Sequence, residues 1–189
     1  MAHSIQDFKS ALIGGGTRPN LFEVTMPGNI PGTGTLPAKF PILCKAAALP
    51  ASNVASIDVP FRGRIFKVAG DRTFDTWTIT IINDQDFAIR TAMEQWMQFI
   101  GQYADGSGAT NPADYMRNAF VKQFRRGAAN VGTGVAVGAG LEVIKTYKFY
   151  DIFPTNVSAI DLSYDTSDTI EEFTVEFQVQ YWTPTNEEA

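Results

Sequence analysis

One cysteine and one histidine are all that 189 residues supply in the way of thiol and imidazole chemistry. A lone cysteine forms no internal disulfide, and one Cys with one His cannot complete a four-ligand zinc site. Synthesis in a reducing compartment is the expectation that follows. Charge is scarce too: 19% of the residues are Asp, Glu, Lys or Arg, below the roughly 25% of an ordinary soluble domain, so partners are expected to cover part of the surface. The only adjacent basic pair is Arg125-Arg126, too little for the phosphate contacts that hold nucleic acid. No basic segment leads into an apolar stretch at the N-terminus. The charge-free run Gly127 to Leu141 is glycine-rich and shorter than the roughly 18 residues of a membrane span. Neither a signal peptide nor a membrane anchor is expected.

What is present suffices for one domain, residues 1–189. The 44% of hydrophobic residues exclude disorder, and a chain of this length buries roughly 70% of its unfolded surface without staples. The net charge of −5 conceals an asymmetry. All 15 basic residues and 11 acids lie in residues 1–150, whereas residues 151–189 hold 9 acids and no base.

Residues 4 to 13 place Ile5, Phe8 and Leu12 on one helical stripe, with Ser4 as N-cap and Gly14-Gly15-Gly16 as a stop. This arm, within residues 1–19, can pack on its own domain or dock on a neighbour. Strands are expected at Leu21 to Met26 and Phe40 to Leu49, separated by a Pro/Gly/Thr-rich loop over residues 27–39. Phe61 to Val68 and Thr73 to Ile82 read as a hairpin turning at Gly70-Asp71. In the second strand Trp77, Ile79 and Ile81 alternate with Thr76, Thr78 and Thr80, which describes one buried face. The period then changes: Ile89, Met93, Trp96, Met97 and Ile100 form the core stripe of an amphipathic helix over about residues 84–100, capped by Asn83 or Asp84, with Arg90 and Glu94 paired outside. Asn111-Pro112 opens a helical turn, and Asn118 to Arg126 fits helix or strand by periodicity. Leu141 to Tyr150 is strand-like and Ile160 to Tyr164 alternates. From Glu172 to Trp182 the two faces separate completely. Phe173, Val175, Phe177, Val179 and Tyr181 oppose Glu172, Thr174, Glu176, Gln178 and Gln180. The fold class is mainly β, an antiparallel β-barrel or sandwich with one amphipathic α-helix packed on it.

No residue set argues for an enzyme. His3 lies at the terminus, where its neighbour Ser4 reads as a helix cap, and Cys44 in an apolar run reads as a small buried hydrophobe. Glycines 132–140 lack the Lys and Ser/Thr of a phosphate loop and read as a hairpin tip over residues 127–140. Asp71 with Asp75, and Asp165 with Asp168, sit in turn-like contexts that favour capping over catalysis or Ca²⁺ binding. No catalytic, cofactor or metal residue is expected.

Several blocks resemble the tail tube proteins of T4-like contractile-tailed bacteriophages. They are Arg18 to Val24 (RPNLFEV), Cys44 to Ala51 (CKAAALPA), Val68 to Asp84 (VAGDRTFDTWTITIIND), Phe153 to Val157 (FPTNV) and Glu171 to Trp182, in the same order as in that family. Residues 27–39 and 127–140 look longer than the family pattern. The resemblance favours a strand over Asn118 to Arg126, paired with Leu141 to Asp151.

It also implies hexameric rings that stack into a tube inside a contractile sheath, a conduit for genome delivery. The implied partners are further copies of the chain, the tail sheath protein, the baseplate, a tape measure protein and a tail terminator. DNA would pass without specific binding. The implied location is the virion tail, after synthesis in the bacterial host cytoplasm. On this basis Glu172, Thr174, Glu176, Gln178 and Gln180, with Thr76, Thr78 and Thr80 as neighbours, are expected to face the lumen, or else bulk solvent. Inter-subunit or inter-ring contacts are expected from Ile5, Phe8 and Leu12 and from Asn53 to Val68, where Arg62, Arg64 and Lys67 would oppose the acidic C-terminal third. The alternatives are a tube subunit of a tailocin-like injection particle, a capping or initiating subunit, or a monomeric β-sandwich ligand-binding module.

Overall fold

The computed structural model describes residues 4–12, 16–125 and 143–185. A short helix α1 (Ile5–Ala11) precedes β1 (Phe22–Thr25), the small hairpin β2 (Asn29–Ile30) and β3 (Gly34–Thr35), the helical turn α2 (Phe40–Leu43), and β4 (Cys44–Ala47). The long hairpin β5 (Ser52–Phe61) and β6 (Arg64–Phe74) leads into β7 (Trp77–Ile82), α3 (Ala88–Ile100) and the turn α4 (Pro112–Tyr115). The chain closes with β8 (Arg117–Phe124), β9 (Val143–Val157), β10 (Glu172–Gln178) and β11 (Tyr181–Thr185).

One antiparallel sheet runs in the order β1-β8-β9-β10-β7-β4, with β11 also paired to β9. It forms a sandwich because β9 serves two layers. Its first part pairs with β8 and β11, and Phe153 to Val157 pair with β10. Between them Asp151 takes a left-handed backbone, φ 53°, and its N–H donates to Asn118 Oδ1 at 3.2 Å. Aspartate tolerates that conformation better than bulkier residues do, and the bulge beside it turns the strand from one layer into the other. The sheet does not close into a barrel, since β1 and β4 remain as edges.

The alternating residues supply the core. Register sets Phe173 opposite Ile81, Val175 opposite Ile79 and Phe177 opposite Trp77, and all six are buried. Trp77 stacks on Phe149 of β9, centroids 4.6 Å apart, which joins the two layers. Helix α3 covers the core beside β10, with Ile89, Ala92, Met93 and Trp96 buried and Trp96 5.9 Å from Phe177. The Trp96 indole N–H donates to the Tyr115 carbonyl at 2.8 Å. Met97 and Ile100 are only half-buried, so the expected stripe is centred one residue to the side, on Ala92.

Five expectations need correction. The helix starts at Ala88, because Asp84 to Phe87 form a turn and Phe87 is left-handed at φ 51°. Phe40 to Leu43 is a helical turn because Pro41, lacking an N–H, suits its first positions. The expected loop at 27–39 contains β2 and β3 and buries Ile30 and Leu36 in the core. The long hairpin turns at Arg62-Gly63, φ 44° and 80°, the left-handed pair of a tight two-residue turn. Gly70 lies inside β6, where a Cβ would meet the Ala55 carbonyl at 3.2 Å beside the bulge of β5. Finally, Ile160 to Tyr164 forms no strand: the Ser163 hydroxyl accepts the Asp165 N–H at 3.2 Å and holds a local turn instead. The strand at Arg117–Phe124 and its pairing with β9 are as expected, whereas the tip at 127–140 lies outside the described residues.

Candidate assembly surfaces

The first surface is the outer face of β7 and β10. Strand register places Thr174 opposite Thr80 and Glu176 opposite Thr78, with Asn156 of β9 on the far side of Glu176. Glu172 and Gln178 continue the row, and Lys45 of β4 donates to Glu172 at 2.6 Å. Thr76 directly precedes β7 with the same alternation as Thr78, and Gln180 lies between β10 and β11, beyond the paired row. Gln180 marks a break where its N–H donates to the Tyr150 carbonyl at 3.3 Å. Beyond it Tyr181 leaves the core to stack on Tyr150 at 4.5 Å. The face is therefore neutral-polar with two carboxylates, one of them matched by a lysine.

The second surface is the β5–β6 hairpin, none of whose residues is buried. Its register puts Ile57 opposite Val68, Val59 opposite Phe66 and Phe61 opposite Arg64, all on one side. The other side holds Pro60 with Ile65 and Asp58 with Lys67. Phe66 is 65% exposed. An apolar row of this kind is the surface a soluble monomer avoids. Alternation of Ile57, Val59 and Phe61 signals it in the sequence, followed by the basic Arg62, Arg64 and Lys67. Of these, Lys67 reaches Asp58 at 3.5 Å and the Arg62 guanidinium lies 5.4 Å from the Phe61 ring. Phe74, in edge contact with Trp182 at 6.1 Å, anchors the base.

The third is α1. Ser4 and Asp7 form a capping box at 3.2 and 2.9 Å, and the Ser4 N–H holds the Asp7 carboxyl below its usual range. Ile5, Phe8 and Leu12 share a stripe as expected, yet nothing in α1 is buried, with Ile5 72% exposed. The fourth is a concavity of about 670 Å³ in the connection between β9 and β10. Ile160, Leu162 and Ile170 line it together with Asp161, Glu171 and Glu172.

Chemistry is correspondingly sparse. Burial pushes the Cys44 thiol up to about 12, which makes it a poor nucleophile. Among the described residues no three His, Cys, Asp or Glu gather as metal ligands, and no helix is long and apolar enough to cross a membrane. His3 and glycines 132–140 lie outside the described residues. Arg90 does pair with Glu94 at 2.8 Å, but it also donates to the Ser158 carbonyl and sits over the Phe173 ring. It therefore fastens α3 to the sheet.

A β-sandwich whose marked features are protruding, uncovered apolar elements defines a structural subunit of an assembly. The chain belongs to the phage tail tube protein family, whose sequence profile matches residues 17–185. It is 34% identical over 165 residues to tail tube protein gp19 of Enterobacteria phage T4, covering 87% of this chain and 90% of that one. It is 25% identical over 137 residues to the tail tube protein of Serratia phage KSP90, covering 72% and 70%. Its fold is similar to that of a chain in the anti-feeding prophage tube-terminating cap, with TM-score 0.60, 16% identity and 90% and 91% of the chains covered. It is also similar to one in the sheath-tube complex of the PVC extracellular contractile injection system, with TM-score 0.58, 13% identity and 97% and 99% covered.

Proposed function

We propose that the chain is the protomer of hexameric rings that stack into the inner tube of a contractile phage tail, through which the genome passes. The observation that carries this reading is the β5–β6 hairpin, which projects an apolar row that its own subunit leaves uncovered. Edge strands β1 and β4 add unpaired backbone groups, which a closed ring can use. A sheath protein and a terminator are the partners that fit, since sheath-tube and tube-terminating assemblies hold chains of this fold. A baseplate and a tape measure protein belong to the same reading, as do a place in the virion tail and synthesis in the host cytoplasm.

Glu172, Thr174, Glu176 and Gln178, with Thr76, Thr78 and Thr80 as neighbours, line the bore in this reading, and Gln180 follows where the paired row ends. A face with carboxylates and hydroxyls repels or ignores phosphate, so DNA slides through without the counterion release that would hold it. The role is structural, without catalysis. The fold match to injection-system chains favours one second reading, a tube subunit of such a particle. Negative-stain electron microscopy over a range of concentrations tests the main proposal: rings or hollow tubes are expected. Persistent monomers, even on isolated baseplates, would overturn it. A gene neighbourhood without capsid and terminase would favour the second reading.

A further inference from the structure

Asp105-Gly106 is the one Asp-Gly step in the chain, and the chain has no Asn-Gly step. Such a step is open to chemical ageing, because glycine puts no side chain between its nitrogen and the preceding carboxyl group. The Gly106 nitrogen can attack the Asp105 side-chain carbon; the N–C bond forms as the carboxyl hydroxyl leaves with the amide proton as water. Water then opens the cyclic imide at the Asp105 main-chain carbonyl carbon, and the product is isoaspartate. Its main chain runs through the former side chain and is longer by one methylene group. The water lost is regained, and no oxidant or further reactant is needed.

The step lies in an exposed loop, residues 101–108, that follows α3, where nothing shields it from water. The loop is nevertheless held at the atoms the reaction must move. Asp105 Oδ1 accepts both the Ser107 hydroxyl at 2.7 Å and the Ser107 N–H at 3.0 Å. These bonds turn the carboxyl group toward residue 107 and, the hydroxyl foremost, hold it below its ordinary value of 3.8. A carboxylate kept ionised has no hydroxyl to release. The attacking Gly106 N–H is itself engaged, donating to the Gln102 carbonyl at 3.3 Å. Both ends of the loop are pinned: the Gln102 N–H donates to the Ser107 carbonyl at 2.6 Å and the Ala109 N–H to the Phe99 carbonyl at 3.2 Å. Gly108 lies so close to α3 that a Cβ on it would stand 2.0 Å from the Ile100 carbonyl oxygen. A main chain lengthened by a methylene group has no slack to occupy there.

We infer that Asp105-Gly106 is a latent modification site, which the Ser107 clamp keeps from converting to isoaspartate. The inference is independent of the tube reading and concerns how long a folded subunit keeps its loop, and with it the end of α3, intact.

Ageing of the full chain tests it. Wild type is incubated at neutral pH, folded and in guanidinium chloride, and isoaspartate at residue 105 is counted by peptide mapping and by labelling with an isoaspartyl methyltransferase. The folded protein should convert at least tenfold more slowly than the unfolded chain. Ser107→Ala, with a thermal transition like that of wild type, should convert at least threefold faster than wild type, whereas Ser107→Thr, which keeps the hydroxyl, should match wild type. A folded wild type that ages as fast as the unfolded chain overturns the inference without recourse to any variant. A folded Ser107→Ala that ages at the wild-type rate overturns it too and leaves Asp105 to Ser107 as an ordinary turn, as does a Ser107→Thr that ages as fast as Ser107→Ala. Since no ring or tube has to form, none of these results bears on the tube reading.

Discussion

At the scale of single residues, the parts that alternation or charge spacing makes legible are those buried by a local rule. Trp77, Ile79 and Ile81 could be assigned inward from the sequence because a strand has a period of two. Trp77 should be the costliest of them to lose. It stacks on Phe149 and touches Phe177 at 5.3 Å, so Trp77→Ala should lower stability by about 3–5 kcal/mol, read as a shift in the denaturant midpoint. Long-range pairs were not legible. Lys39 meets Asp84 and also bonds Asp86 at 3.0 Å, joining residues more than forty apart. The Lys39 ammonium, through its hydrogen bond, holds the Asp84 carboxyl below its ordinary value of 3.8. A carboxyl depressed in the fold contributes stability above its unfolded pKa and loses it as pH falls through the folded value. Asp84→Asn should therefore be less stable than wild type at pH 7, and the difference should shrink as pH falls below about 4. Parallel urea titrations at pH 7 and pH 3 check this.

At the scale of elements, helix α3 and strand β10 were read nearly in full, whereas the turn of the long hairpin was misplaced. Gly70-Asp71 has the composition of a turn, but Gly70 is needed for close approach to Ala55. The true turn contains an arginine in a left-handed conformation, which single-residue preferences do not reveal. Energetically the hairpin stands apart from the fold, since nothing in it is buried. Val59→Asp with Phe66→Asp should thus leave the thermal transition within about 0.5 kcal/mol of wild type while abolishing tubes, a split that calorimetry and microscopy together can resolve. Helix α1 invites the same comparison. It precedes the family-matched residues and touches no core, so deleting residues 1–12 should leave the thermal transition unchanged. Any loss of ring or tube yield would then assign its apolar stripe to a neighbouring copy.

At the scale of the whole molecule, the tube reading draws on a charge asymmetry, with every base in residues 1–150 and nine acids in residues 151–189. The bore face is the weaker half of that reading. Sequence supplied its alternation, and register sets Thr174 opposite Thr80 and Glu176 opposite Thr78. Glu176→Lys tests the rest: tubes should assemble, while genome delivery by phage carrying the change should fall at least tenfold, measured by infectivity per assembled particle. Unimpaired delivery would place Glu176 away from the bore. The hairpin finally has a mechanical meaning. Both of its strands run continuously from the body to the turn at Arg62-Gly63, so a partner gripping that turn pulls along two covalent chains in parallel. Tension of this kind does not peel the rungs of hydrogen bonds between β5 and β6. Such a tether would yield only when the grip slips or the root at Phe74 and Trp182 tears out, and it would be stiffest along the direction of pull.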